Sequence, residues 1–178
     1  VFPQVCTSRL WIVQASRECE NLLIAAEEFA TIAWLLGAEY PANELQQAWK
    51  EILYIAFHDI ITGCGVDKIY EEVKQICTSL KAKLTYSLNQ SLSYIAGKVN
   101  TGGEALLAFN PMPRRMLNWG QADLKLPPGF EEIPGMKERK GVESEAIGMR
   151  KNEKDKIEGA KVGFMTDLPP LGYKAYKL

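Results

Sequence analysis

The only histidine in the 178 residues, His58, is followed at once by a carboxylate, Asp59, and then by the turn-forming run Thr62-Gly63-Cys64-Gly65. An imidazole can accept, release or share a proton near neutral pH, or ligate a metal, and a neighbouring carboxylate can accept hydrogen bonds from hydroxyls. The stretch Phe57–Gly65 falls between two segments that read as helices, so the pair is expected on a connection, where binding and chemistry concentrate. A structural or merely solvated histidine is the alternative that the pair alone leaves open.

The elements that must hold this stretch are helical. Leu22, Ala26, Phe29, Ala33 and Leu36 step by three and four, which makes one face of a helix, with Thr7 or Ser8 as a candidate N-cap. Gly37 is placed to end it in a left-handed conformation, and Tyr40-Pro41 forces a turn. Asn43 is a candidate cap for a second helix whose stripe is Leu45, Trp49, Ile52 and Ala56. Asp67 is a candidate cap for the third, where Ile69, Val73, Ile76, Leu80, Leu84, Leu88, Leu92 and Ile95 keep the same spacing until Gly97. Each stripe needs an apolar partner, so three helices with short connections predict an antiparallel three-helix bundle. Trp34 and Trp49 are expected in its core; Trp11 and Trp119 are assigned to packing rather than to stacking on a sugar.

The character changes after Gly97. Seven of the nine prolines lie in 101–178, and short apolar runs alternate with turn signals. Ala105–Phe109, Ala122–Leu126, Lys161–Met165 and Tyr173–Leu178 read as strands. Pro127-Pro128-Gly129 is expected to stop the second, and Pro169-Pro170-Leu171-Gly172 to turn the chain between the last two. The expected fold class is α+β in separate domains: a helical bundle over 1–100 and an antiparallel, sandwich-like β piece over 101–178. That β piece would have exposed edges alone, so it is expected to begin a larger β assembly.

Composition narrows the function classes. The apolar fraction is 47%, the charged fraction 24% and the formal net charge −1. No basic excess points to nucleic acid or to an anionic membrane. No apolar run spans a bilayer and no signal peptide is visible. The mixed-charge run Lys137–Lys161 reads as solvated surface, as do Arg114 and Arg115. Cys6, Cys19, Cys64 and Cys77 form no C-x-x-C pair and read as free thiols, which favours the cytoplasm. The triplet Asn89-Gln90-Ser91 falls inside a helix and carries little weight as a glycosylation signal. The start Val1-Phe2-Pro3 rather than Met hints at a fragment, although a processed or trimmed chain would begin the same way.

Several motifs, in order, resemble the α-mannosidases of glycoside hydrolase family 38. Thr7-Ser8-Arg9 with Glu20, Leu23, Ala26 and Glu27 resembles the start of that family's middle helical domain. Tyr40-Pro41 with Leu45, Trp49, Lys50 and Leu53 resembles the stretch before its site loop. Phe57-His58-Asp59-Ile60-Ile61-Thr62-Gly63 is similar to its H-D-x-x-x-G signature. Leu106–Pro111 resembles the opening of its β domain, and Leu168–Tyr173 a later strand end. Ala56, where the family often has Gln, and Cys64, where Ser or Thr is common, depart from the pattern.

The resemblance implies a retaining α-mannosidase acting on a mannose-containing oligosaccharide or mannoside. His58 would be one of four ligands to a divalent metal, usually zinc, and Asp59 would accept hydrogen bonds from sugar hydroxyls. The nucleophile and the other metal ligands are expected on a preceding catalytic α/β domain, which residues 1–100 do not resemble. The chain alone is therefore expected to be inactive and to bind metal weakly or not at all; family members often self-associate, which allows a homo-oligomer. Two other readings compete. A stand-alone module for protein or carbohydrate binding would need a closed polar surface around the loop. An independent metalloenzyme would need His58, Asp59 and Cys64 joined by a distant ligand such as Glu71 or Cys77, and no spacing supports that.

Overall fold

A computed structural model describes residues 8–103, 105–130, 144–151 and 157–177. The chain divides into two compact units, Val1–Val99 and Asn100–Leu178. The fold is α+β, with helices in the first unit and antiparallel strands in the second.

The first unit contains α1 (Leu10–Leu35), α2 (Ala42–Ile55), the single-turn α3 (His58–Ile61) and α4 (Asp67–Ala96). The same sequence offset of 58 recurs along α1 and α4 in the pairs Arg9–Asp67, Cys19–Cys77 and Leu36–Tyr94. The two long helices therefore run parallel and in register, with α2 returning between them: an up-down-up bundle. Ile12, Leu23 and Ala26 of α1, Ile52 and Ile55 of α2, and Val73, Leu80 and Leu84 of α4 meet in its core. Each side chain of this size is stabilised by roughly 1.5–3 kcal/mol on burial, which is what sets the register.

The end of α1 follows from Gly37. Its φ of +102° is in the left-handed region. Ala38 N–H then donates to Ala33 O at 2.9 Å and Gly37 N–H to Trp34 O at 2.9 Å, the paired bonds of a Schellman motif. The helix starts differ from expectation. Arg9, not Thr7 or Ser8, is the N-cap of α1 and makes no side-chain cap (Thr7 lies outside the described residues). Pro41 precedes α2, because its carbonyl already accepts the Leu45 N–H at 3.1 Å, which leaves Asn43 inside the first turn. Val66 is the N-cap of α4 and Asp67 its first residue; the Asp67 carboxylate pairs with Arg9 instead. Trp34 is not core: it is 55% exposed at the end of α1 and meets Tyr40 edge-on at 6.4 Å. Trp49 and Trp11 pack half-buried against the core. No helix among the described residues is long and apolar enough to cross a membrane.

The second unit contains β1 (Ala105–Asn110), β2 (Met116–Phe130), β3 (Ser144–Lys151), β4 (Ile157–Leu168) and β5 (Gly172–Lys177). β1 pairs with β5, and β4 lies between β2 and β3; every pairing is antiparallel. Leu124, Ala160, Val162 and Phe164 form a small core with Leu106 and Tyr176 against it. The expected stop at Pro127–Gly129 is instead an irregularity within β2, whose pairing with β4 breaks between Lys125 and Phe130. Prolines cannot donate to a ladder, so the strand continues only as an unpaired bulge there. The charged run Lys137–Lys161 is not all solvated surface. Residues 144–151 form β3 and residues 157–161 enter β4, where Ala160 is fully buried; the rest of the run lies outside the described residues.

Asn110, fully buried at the end of β1, holds the turn that follows β1 and the turn between β4 and β5. Its Nδ2 donates to Arg114 O and Pro169 O, each at 2.8 Å, and its Oδ1 accepts the Met112 N–H at 2.9 Å. Leu171, not Gly172, takes the left-handed position in the second turn, with φ +44°, and its N–H donates to Met112 O at 2.9 Å.

Candidate functional site

His58 and Asp59 sit on α3, a turn of helix rather than an open connection. The turn closes because Phe57 O accepts the Ile60 and Ile61 N–H groups at 2.9 and 3.0 Å. Ile60 points inward, 6% exposed, and anchors the turn in the bundle core. Its neighbours His58 and Asp59 consequently point outward, with side chains 77% and 76% exposed. The His58 Nε2 and Asp59 Oδ1 atoms lie 3.4 Å apart, and the Phe57 ring lies tilted against the imidazole at 4.3 Å between centroids.

Behind α3 the chain is held at two points. Gly63, with φ +80°, donates its N–H to Ile60 O at 3.0 Å. The Gly63 carbonyl accepts from Arg9 Nε at 3.3 Å, and Arg9 Nη2 donates to Asp67 Oδ1 at 2.6 Å. The guanidinium stacks over the Tyr70 ring at 4.1 Å, and the Tyr70 hydroxyl oxygen accepts the Gly65 N–H at 2.7 Å. Arg9 is the residue that sequence reasoning did not single out for the loop. Its only signal was the Thr7-Ser8-Arg9 motif, because the contact crosses 54 residues of chain.

Several large apolar side chains close to the turn in sequence are exposed. Leu53, Tyr54, Phe57 and Val66 are 65%, 50%, 51% and 67% exposed.

One imidazole nitrogen and one carboxylate, both exposed, are donor types found in divalent-metal sites. They do not complete one. Among the described residues no three His, Cys, Asp or Glu side chains are grouped to hold a metal. Cys64 is exposed and its thiol lies 3.7 Å from Thr62 O, whereas Cys77 is buried against Cys19 on α1, so the two thiols do not join His58 in one site. A groove of about 680 Å³ lies at the opposite end of the bundle between the start of α2 and the end of α4, lined by Glu44, Ala48, Leu84, Ser87 and Gln90.

Comparison with known proteins gives this geometry its context. A family model described as the α-mannosidase middle domain matches residues 2–95. α-Mannosidase 2C1 of Homo sapiens is 30% identical over 110 residues, which is 60% of this chain and 10% of that protein. α-Mannosidase G of Dictyostelium discoideum is 25% identical over 91 residues, 51% of this chain and 8% of that protein. The chain thus spans about a tenth of the length of the curated relatives it matches. Two solved structures from Enterococcus faecalis share the fold. A protein in glycosyl hydrolase family 38 superposes with a TM-score of 0.73 at 14% identity, covering 94% of this chain and 24% of that one. An α-mannosidase superposes with a TM-score of 0.69 at 13% identity, covering 94% and 23%. Because the family model covers more than half of the 178 residues, the chain belongs to the α-mannosidase middle-domain family.

Proposed function

We propose that this chain is a segment of a longer retaining α-mannosidase and forms one wall of its active site. The observation that carries the reading is the exposed His58–Asp59 pair on a pinned turn, with Leu53, Tyr54, Phe57 and Val66 exposed nearby in sequence. A catalytic α/β domain seated on this face would bring the remaining groups to the pair. His58 supplies one nitrogen ligand to a divalent cation, zinc by family resemblance, with the other ligands on the docked domain. Once bound, such a cation would grip and polarise sugar hydroxyls.

Asp59 has two oxygens, and each can accept a hydrogen bond from a hydroxyl, which suits the vicinal diol of mannose. The α-mannosidase names of the relatives point to a mannose-containing oligosaccharide or mannoside as the substrate class. The two carboxylates of retaining hydrolysis, nucleophile and acid/base, belong to the docked domain. Docking also removes water from the turn, which strengthens both the ligation and the sugar hydrogen bonds.

The test compares the 178-residue chain with the longer protein that includes the upstream coding sequence, using a chromogenic α-mannoside and added zinc. Hydrolysis by the longer protein alone, lost on His58→Ala, is the expected result. Hydrolysis by the 178-residue chain would place both catalytic carboxylates within it and overturn the reading, as would full activity of the His58→Ala enzyme.

A further inference from the structure

We propose that Arg9, with Tyr70 beneath it, is the positioning residue for the His58–Asp59 turn; the inference rests on the active-site reading above. Three tethers fix the turn. Ile60 anchors α3 from the inside, Arg9 Nε holds the Gly63 carbonyl, and the Tyr70 hydroxyl holds the Gly65 N–H. The last two tethers are themselves locked together, because the guanidinium lies 4.1 Å over the Tyr70 ring and is fixed at its far end by Asp67. One side chain from the start of α1 thus ties the end of the site turn to the start of α4.

The glycines report the same closeness from the other side. A Cβ on Gly63 would meet the Arg9 Cβ at 3.4 Å, and one on Gly65 would meet the Tyr70 hydroxyl at 3.2 Å. Both glycines allow the backbone to come within reach of its two clamps. The planar fork of arginine is what permits a carbonyl, a carboxylate and an aromatic face to be engaged at once; lysine, a point charge on a flexible stem, cannot reproduce it. Neither Arg9 nor Tyr70 is on α3, so they act on His58 and Asp59 only through the backbone that carries them. A metal shared between two domains is sensitive to such support, because its ligands must meet with little freedom.

The experiment uses the longer α-mannosidase with Arg9→Ala, Arg9→Lys and Tyr70→Phe. Tyr70→Phe keeps the buried ring, so it guards against a simple folding failure. Three quantities are read: amide hydrogen exchange of residues 58–66 in metal-free protein, zinc affinity by chelator competition, and kcat/KM for a mannoside. The expected result is faster exchange confined to 58–66 in all three variants, with exchange of the α4 core unchanged. Zinc affinity and kcat/KM should each fall about 10–100-fold for Arg9→Ala and Arg9→Lys, the range typical of groups that orient a metal ligand. Unchanged exchange in 58–66, or zinc affinity and kcat/KM within about twofold of wild type, would overturn the proposal. If the wild-type protein neither hydrolyses the mannoside nor loses zinc on His58→Ala, the active-site reading fails instead, and the exchange data still decide whether Arg9 and Tyr70 hold the turn.

Discussion

The indole of Trp119 lies so close over Gly163 that a Cβ on that glycine would stand 2.6 Å from its Cζ2 atom. Trp119 pairs with Met165 across β2 and β4, so its ring leans diagonally over a strand position two residues away. Gly163→Ala is therefore overpacked. It should lower the stability of the 178-residue chain by about 1–3 kcal/mol, with a matching fall in the urea midpoint followed by tryptophan fluorescence. An unchanged midpoint would mean that the ring moves aside freely.

The three described cysteines should separate cleanly by reactivity. Cys64 is exposed, whereas Cys19 and Cys77 are buried between α1 and α4. Hydrogen bonding with Cys77, and then burial, hold the Cys19 thiol well above its ordinary range, so it stays a neutral, poor nucleophile. Iodoacetamide followed by mass spectrometry should label Cys64 promptly. Cys19 and Cys77 should react on the order of 100-fold more slowly or less, until denaturant opens the bundle. Prompt labelling of Cys19 in the folded chain would contradict its burial.

Arg115 and Asp167 form a two-pronged pair on the β unit, with Arg115 Nε donating to Asp167 Oδ1 at 2.6 Å and its Nη2 to Oδ2. The hydrogen bonds from Arg115 hold the Asp167 carboxyl below its ordinary value of 3.8. A carboxyl depressed in the folded state contributes stability above its unfolded value and loses it as pH falls through the folded one. The difference in urea midpoint between wild type and Arg115→Gln should therefore be present at neutral pH, begin to shrink as pH falls through 3.8, and vanish once the folded-state carboxyl is protonated as well. It should also shrink at about 1 M salt, because the pair is exposed and screened. A difference that grows in acid would reverse the sign of this argument.

The exposed apolar side chains near the site turn make opposite demands on the isolated and the longer protein. Leu53→Ser and Phe57→Ser remove side chains that are 65% and 51% exposed. In the 178-residue chain each should change stability by no more than about 0.5 kcal/mol. In the longer protein the pair of changes should cost activity about tenfold or more, if one of them is an anchor of the interface worth at least 1.4 kcal/mol. Equal activity with and without them would show that nothing docks there.

Local signals in the sequence determined most of the helical unit. The apolar spacing marked α1, α2 and α4, Gly37 ended α1 with its positive φ, and Gly63 broke the chain after the site turn. These are properties of neighbouring residues, since periodicity and left-handed backbone preference need no distant partner. The strands with clear alternation or a bounded apolar run, in β1, β2, β4 and β5, were legible for the same reason. The pairing of His58 with Asp59 was legible as adjacency.

Tertiary structure alone decided the rest. β3 is written in a charged stretch with little alternation, and it is a strand because β4 offers it a ladder. The N-caps are Arg9, Pro41 and Val66 rather than Ser8, Asn43 and Asp67; the carboxylate of Asp67, the first residue of α4, pairs with Arg9 from 58 residues away instead of capping. Trp34 reads as core on composition, yet it projects from the end of α1. The exposure of His58 and Asp59 follows from Ile60 turning into the core, and the clamp on their turn from Arg9, 54 residues before Gly63. Spacing along a chain carries no information about a contact of that separation; only the parallel register of α1 and α4 brings the two together.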